Sequence, residues 1–222
     1  MEEGIISFPF PVIYRIYSVL YSHYGRQNWW PGDSPFEVAL GAILAQNTAW
    51  NNAALAIENL KQKSLFDPQT LFQLPEEKLA SLIKPSGYYN QKAKALFNFL
   101  AFLIEGYRAN LARMAEEELY SLRRKLLSIK GIGPETADSI LLYALNKPIF
   151  VVDGYTMRIG QRHRLFSDKA GYDKVQQLFM KNLPCDSSLY NEYHALIVRV
   201  GKEHCRKKGW DCSLCPLGSF LP

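Results

Sequence analysis

An all-α fold is predicted by two observations: apolar residues recur at three- and four-residue spacing almost throughout, and no run alternates with the period of two that a half-buried strand needs. The composition agrees with a packed protein. With 222 residues, 48% of them hydrophobic, the chain can fill one compact unit or two small lobes. Charged residues make up 21% and form no long like-charge block, which argues against disorder. A net charge of +5 suits an acidic partner such as nucleic acid, although many proteins without one carry as much.

In chain order, the first marked helix begins after Ser34 as N-cap, with Pro35 at the first helical position and Glu37 completing a capping box. Phe36, Ala39, Leu40, Ile43 and Leu44 then form one apolar stripe, and the helix ends near Gln46-Asn47-Thr48. A second helix carries Leu119, Leu122, Leu126 and Ile129 on one face. A third, from Pro134, carries Ala137, Ile140, Leu141, Ala144 and Leu145. Asn146-Lys147-Pro148 is the expected break after it. A last stripe of Leu189, Tyr193, Leu196, Ile197 and Val200 runs into a cluster of cysteines, Cys205, Cys212 and Cys215.

The N-terminal Met1-Glu2-Glu3-Gly4 is acidic, and no apolar run approaches the roughly 18 to 20 residues that span a bilayer. No membrane association is expected, and an intracellular location is. Three of the four cysteines crowd near the C-terminus, an uneven placement for a disulfide framework, so metal or iron–sulfur ligation is the better expectation.

Lys130-Gly131-Ile132-Gly133 joins the second and third helices. Glycines open backbone conformations closed to other residues and leave amides uncovered, while Pro134 starts a helix whose positive end points the same way. Such a hairpin can hold a phosphate, with Lys130 adding a mobile charge and Arg123, Arg124 and Lys125 on the preceding helix. By itself Gly-x-Gly also fits an ordinary αα-corner beside a solvated basic face.

The stretch Leu126-Leu127-Ser128-Ile129-Lys130-Gly131-Ile132-Gly133-Pro134-Glu135-Thr136-Ala137, followed by Val151-Val152-Asp153, resembles the helix-hairpin-helix signature of the endonuclease III superfamily of DNA glycosylases. Leu44-Ala45-Gln46-Asn47-Thr48, Gly87-Tyr88-Tyr89-Asn90-Gln91-Lys92-Ala93 and the C-terminal cysteines fit the same family in the same order. Within it, Trp29-Trp30-Pro31, Gln46-Asn47-Thr48 with Trp50, and Pro85 to Lys92 are most similar to the 3-methyladenine DNA glycosylase III group, which removes alkylated purines. The resemblance implies two helical lobes: a six-helix bundle over 33–147, and a second lobe from 1–32 and 148–222 that includes a cysteine-rich loop at 205–222. It implies a cleft between the lobes and, as partner, damaged double-stranded DNA bound by a monomer. A cytoplasmic, nucleoid-associated location is expected if the source is prokaryotic.

Breaking an N-glycosidic bond builds positive charge on the sugar, which a fixed carboxylate stabilises while orienting water. Asp153 is the candidate, and it is equally placed to cap the helix from Gly154; a helix N-terminus favours the ionised carboxylate, so the two tasks do not compete. Bifunctional relatives carry a lysine nucleophile two residues after the second hairpin glycine. Glu135 stands there instead, which points to a monofunctional enzyme; it can contact the flipped base or be a solvated acid at the helix start. Trp30, Pro31 and Trp50 match the base pocket, where a cationic alkylated purine gains a cation–π attraction of about 1–2 kcal/mol, while Trp29 is as well explained by the core. Gln46 and Tyr88 match positions that enter the duplex, and Lys130, Gly131 and Gly133 match the phosphate contact; polar residues at helix ends look the same.

Cys205-x6-Cys212-x2-Cys215 matches three ligands of the family's [4Fe–4S] loop, and the fourth position is Leu221. Cys185 is separated from them by a helix expected to hold it about 25 Å away. His204, an exogenous ligand, a different metal and an empty degenerate site remain open. The leading expectation is thus a monofunctional alkylpurine glycosylase. A bifunctional endonuclease III-like glycosylase/lyase and a non-enzymatic helix-hairpin-helix DNA-binding protein are the alternatives.

Overall fold

The computed structural model describes residues 12–220, and all regular structure within them is helical. In chain order the helices are α1 (Val12–Tyr24), α2 (Pro35–Leu44), α3 (Trp50–Gln62), α4 (Pro68–Gln73), α5 (Glu76–Leu82), α6 (Tyr89–Tyr107), α7 (Leu111–Ala115), α8 (Leu119–Leu127), α9 (Pro134–Ser139), α10 (Gly154–Arg162), α11 (Tyr172–Lys181) and α12 (Ser187–Glu203). None is long and apolar enough to cross a membrane. The chain folds as two compact units: one is Trp30–Ile149, and the other joins the residues up to Trp29 with those from Phe150 onward.

In the unit Trp30–Ile149, α2 is the central helix. Every residue from Glu37 to Leu44 is buried, so the single stripe expected of it is too narrow. Val38, Gly41 and Ala42, off that stripe, are small enough for α3, α6 and the turn after α9 to close around it. Phe36, on the stripe, is only half-buried and meets the Phe66 ring at 5.5 Å. The helix start differs from the simple capping box as well. Ser34 Oγ accepts from the Glu37 amide at 3.2 Å, but the Glu37 carboxylate reaches the Asp33 amide, at 3.1 Å, one residue before Ser34. Lys61 Nζ then bridges Glu37 and Asp33, each at 2.7 Å, which neutralises the buried Glu37 and fixes the loop that follows Trp30 and Pro31.

The basic helix before the hairpin is largely spoken for. Arg123 forks onto the fully buried Asp138 at 2.7 and 3.0 Å, tying α8 to α9, and Lys125 pairs with Glu117 at 2.6 Å. Arg124 is exposed. The helix from Pro134 keeps α geometry only to Ser139; Ile140–Ala144 form a π turn, which widens the spacing on which the expected stripe rests.

The other unit is built on aromatic packing. Phe150 stacks on Phe179 with ring centroids 4.4 Å apart, and Tyr190 and Tyr193 of α12 meet Phe150 edge-on. The buried Tyr193 hydroxyl donates to the Ile13 carbonyl at 2.8 Å, joining α12 to α1. Gln176 donates to the Phe150 carbonyl at 2.6 Å and the Val152 amide donates to Tyr172 Oη at 3.4 Å, so α11 holds the extended segment that delivers Asp153.

Candidate active site and nucleic-acid interface

The hairpin turns at Gly131, whose φ of +98° favours glycine and where a Cβ would lie 2.6 Å from Ala95 Cβ on α6. Gly131 is therefore required by conformation and by close approach. Gly133, the N-cap of α9, has open space around it and no side chain capping it. Asn98 donates to the Lys130 carbonyl at 2.9 Å, while Lys130, Gly133 and Glu135 are exposed. An exposed helix start without a side-chain cap, next to a lysine, is a suitable cradle for a phosphate oxygen.

Gln46 lies in the turn after α2, and its amide donates to the Gly131 carbonyl at 3.0 Å and to Thr136 Oγ1 at 2.9 Å. The structure thus brings Gln46 and the hairpin together, a link that spacing along the chain does not reveal. Tyr88 is 67% exposed and holds φ +46°, directly after Gly87 at φ +67°. A non-glycine residue in the left-handed region costs about 1 kcal/mol or more, so an aromatic ring held out to solvent in this way is a functional signal.

Trp30 and Trp50 meet edge-to-face at 4.9 Å, and a third ring, Tyr143 on the π turn, lies 5.1 Å from Trp30. A Cβ on Gly41 would come within 3.3 Å of both indoles, so the glycine in α2 makes room for them. Pro31 is exposed at the edge of this loop, and Trp29 belongs to the other unit. Tyr143 was not singled out from sequence because α-helical spacing puts it off the apolar stripe. A π turn has no reliable sequence mark.

Asp153 is in the other unit and caps α10: its Oδ1 accepts from the Thr156 amide at 2.7 Å and from Thr156 Oγ1 at 2.9 Å. Its second oxygen, Oδ2, stands 3.7 Å from Nε2 of His194, a buried residue of α12. Burial pushes the His194 pKa down and Asp153 pulls it partly back, which favours a neutral imidazole beside the carboxylate. Neither Thr156 nor His194 was legible, since the cap was expected of Asp153 alone and nothing in a helical stripe marks which flanking polar residue faces an acid.

The cysteine loop also belongs to this unit. Cys205 Sγ accepts from Arg162 at 3.1 Å, Arg158 donates to the Cys205 carbonyl at 2.6 Å, and the Arg162 guanidinium lies over the exposed Trp210 ring. Burial pushes the Cys215 thiol up, and Cys212 and Cys205 push it the same way, so the three thiols sense one another. Their soft donor chemistry fits three of the four corners of an iron–sulfur cluster. Among the described residues no three His, Cys, Asp or Glu side chains are gathered as for a single metal ion, and Leu221 lies outside the described residues. Cys185 is a free, exposed cysteine.

An all-α chain with a glycine hairpin between two helices, and an aspartate capping the helix after the next extended segment, has the arrangement that the resemblance to helix-hairpin-helix DNA glycosylases implies. Residues 40–185 match the family described as the HhH-GPD superfamily of base excision DNA repair proteins. A Methanocaldococcus jannaschii protein, provisionally named a DNA repair glycosylase, is 49% identical over 213 residues, which cover 95% of this chain and 96% of that one. Endonuclease III of Thermotoga maritima is 29% identical over 82% of this chain and 79% of its own. The crystal structure of H. pylori 3-methyladenine DNA glycosylase (MagIII) bound to 1,N6-ethenoadenine superposes with a TM-score of 0.76 at 29% identity, covering 86% of this chain and 97% of that one. A non-covalent endonuclease III–DNA complex shares the fold, with a TM-score of 0.80 at 21% identity over 95% of this chain and 94% of that one. The chain belongs to the HhH-GPD superfamily and is a DNA glycosylase of base excision repair.

Proposed function

We propose that the enzyme is monofunctional and hydrolyses the N-glycosidic bond of alkylated purines in double-stranded DNA. The observation that carries this is Glu135, exposed in the first turn of α9 where bifunctional relatives carry their lysine nucleophile. A carboxylate forms no Schiff base, so water is the attacking group. The substrate class is supported by the Trp30–Trp50–Tyr143 rings and by likeness to the H. pylori 3-methyladenine enzyme.

In this mechanism the bond between the base nitrogen and the anomeric carbon breaks with its electron pair leaving on the base. Positive charge grows on the sugar, and Asp153 stabilises it and orients water. Thr156 holds one carboxylate oxygen, and His194, whose pKa burial pushes down, faces the other. The hairpin at Gly131 and Gly133 grips phosphate with Lys130, Gln46 and Tyr88 enter the duplex, and Trp30, Pro31, Trp50 and Glu135 receive the base. Cys205, Cys212 and Cys215 would hold an iron–sulfur cluster, which supplies structure to the loop and takes no part in hydrolysis.

Product analysis on duplexes carrying single defined lesions tests the proposal. Release of 3-methyladenine or 1,N6-ethenoadenine is expected, with strand breaks only after alkali and no borohydride-trapped complex. Efficient trapping abolished by Lys130→Ala would establish the lyase alternative. No excision of any lesion, with DNA binding retained, would leave a binding module.

A further inference from the structure

Lys92, one turn into α6, is 2% exposed. Its ammonium donates to two backbone carbonyls, Leu44 at 2.8 Å and Ser86 at 2.6 Å. Leu44 is the last residue of α2, and Ser86 the last of the 3-10 turn Lys84–Ser86, so two helical C-termini point their negative ends at one cation. This makes the buried charge tolerable without making it free of cost: desolvation pushes the Lys92 pKa down to about 8.

The two carbonyls have one thing in common beyond Lys92. Each stands immediately before an irregular turn that bears a residue assigned to the duplex. After Leu44 the chain turns through Ala45, Gln46 and Asn47, the last at φ +51°. After Ser86 it passes through Gly87 and Tyr88, both in the left-handed region. Each turn has local bonds, such as the Thr48 amide to the Ala45 carbonyl at 3.3 Å and the Gly87 amide to the Lys84 carbonyl at 3.2 Å, and Lys92 is a side chain that ties the start of one turn to the start of the other.

We propose that Lys92 is a positioning residue for base opening, its side chain locking the Gln46 turn and the Tyr88 turn in one register so that both meet the duplex together. This rests on the assignment of Gln46 and Tyr88 to the duplex. A purely structural lysine would lower every activity alike. A positioning lysine acts only where a paired base must be opened, which separates the two roles experimentally.

The test compares wild type with Lys92→Met, whose chain is of similar length and cannot donate. Single-turnover excision of 1,N6-ethenoadenine is measured in a fully paired duplex and in a single-nucleotide bulge. In parallel, 2-aminopurine fluorescence is followed opposite a tetrahydrofuran abasic analogue, which reports opening whatever the preferred lesion. Excision from the paired duplex is expected to fall at least roughly 10-fold more than excision from the bulge, with the fluorescence rise lost and binding kept. An equal fall on both substrates, or a normal fluorescence rise, overturns the proposal. Absence of wild-type excision together with a Lys92-dependent rise would refute the alkylpurine assignment alone. Should Lys92→Met not fold, Lys92→Gln, which is uncharged and places its amide one bond short of the two carbonyls, carries the comparison; failure of both to fold assigns Lys92 to the core and overturns the proposal.

Discussion

Asp153 is oriented by its own unit, with Thr156 fixing Oδ1 through two hydrogen bonds and His194 3.7 Å from Oδ2. Asp153→Asn keeps an oxygen for the cap and removes the negative charge, so folding and DNA binding should persist. Single-turnover excision is expected to drop at least roughly 10²-fold, because the lost interaction exists chiefly in the transition state. A melting temperature near that of wild type with excision also near wild type would reduce Asp153 to a helix cap. Asp153 was legible because Val151-Val152-Asp153-Gly154 puts a side-chain acceptor between a buried extended run and a helix start. His194 and Lys92 were not legible. Burial of a polar side chain is decided by what other segments bring to it, and periodicity within one helix does not carry that information.

At the scale of the element, the hairpin separates two glycines that look alike in sequence. Gly131 combines φ +98° with a 2.6 Å approach to Ala95, whereas Gly133 faces open space. Gly131→Ala is expected to destabilise the fold by about 1–3 kcal/mol in urea unfolding, through strain and overpacking against α6. Gly133→Ala with Lys130→Ala should melt close to wild type, weaken binding to all duplexes alike and reduce the salt slope by about 1. An altered lesion preference with an unchanged slope would show that this turn does not grip the backbone. The hairpin was readable because Gly-Ile-Gly-Pro is punctuation that few other structures use. Two neighbouring features were not: the π turn that presents Tyr143, and the Arg123–Asp138 pair that withdraws a cation from the expected basic face.

Over the whole molecule, the discontinuous unit explains why composition marks no boundary. The chain passes between units at Ile149 and Phe150, both fully buried, so no polar linker signals the crossing that turn residues suggest at Asn146–Pro148. The same unit gathers α1, α12 and the cysteine loop, and the loop's chemistry yields the last expectation. The half-buried Cys215 thiol is pushed up by desolvation and by its neighbours Cys212 and Cys205. A cluster would be held by Cys205, Cys212 and Cys215 as thiolates and would cross-link the loop, so the loop should gain order when loaded. Three thiols rather than four make the site labile, and the protein is expected to be coloured and iron-containing when purified without oxygen and to bleach in air. Cys212→Ser should lose iron and colour while keeping excision at saturating enzyme, because hydrolysis is assigned to Asp153 and not to the loop. Affinity for DNA should weaken, since Arg206, Lys207 and Lys208 are exposed on the loop that the cluster would order. A protein that takes up no iron on anaerobic reconstitution would refute the cluster, and a Cys212→Ser enzyme that binds normally but cannot excise would refute its separation from the chemistry.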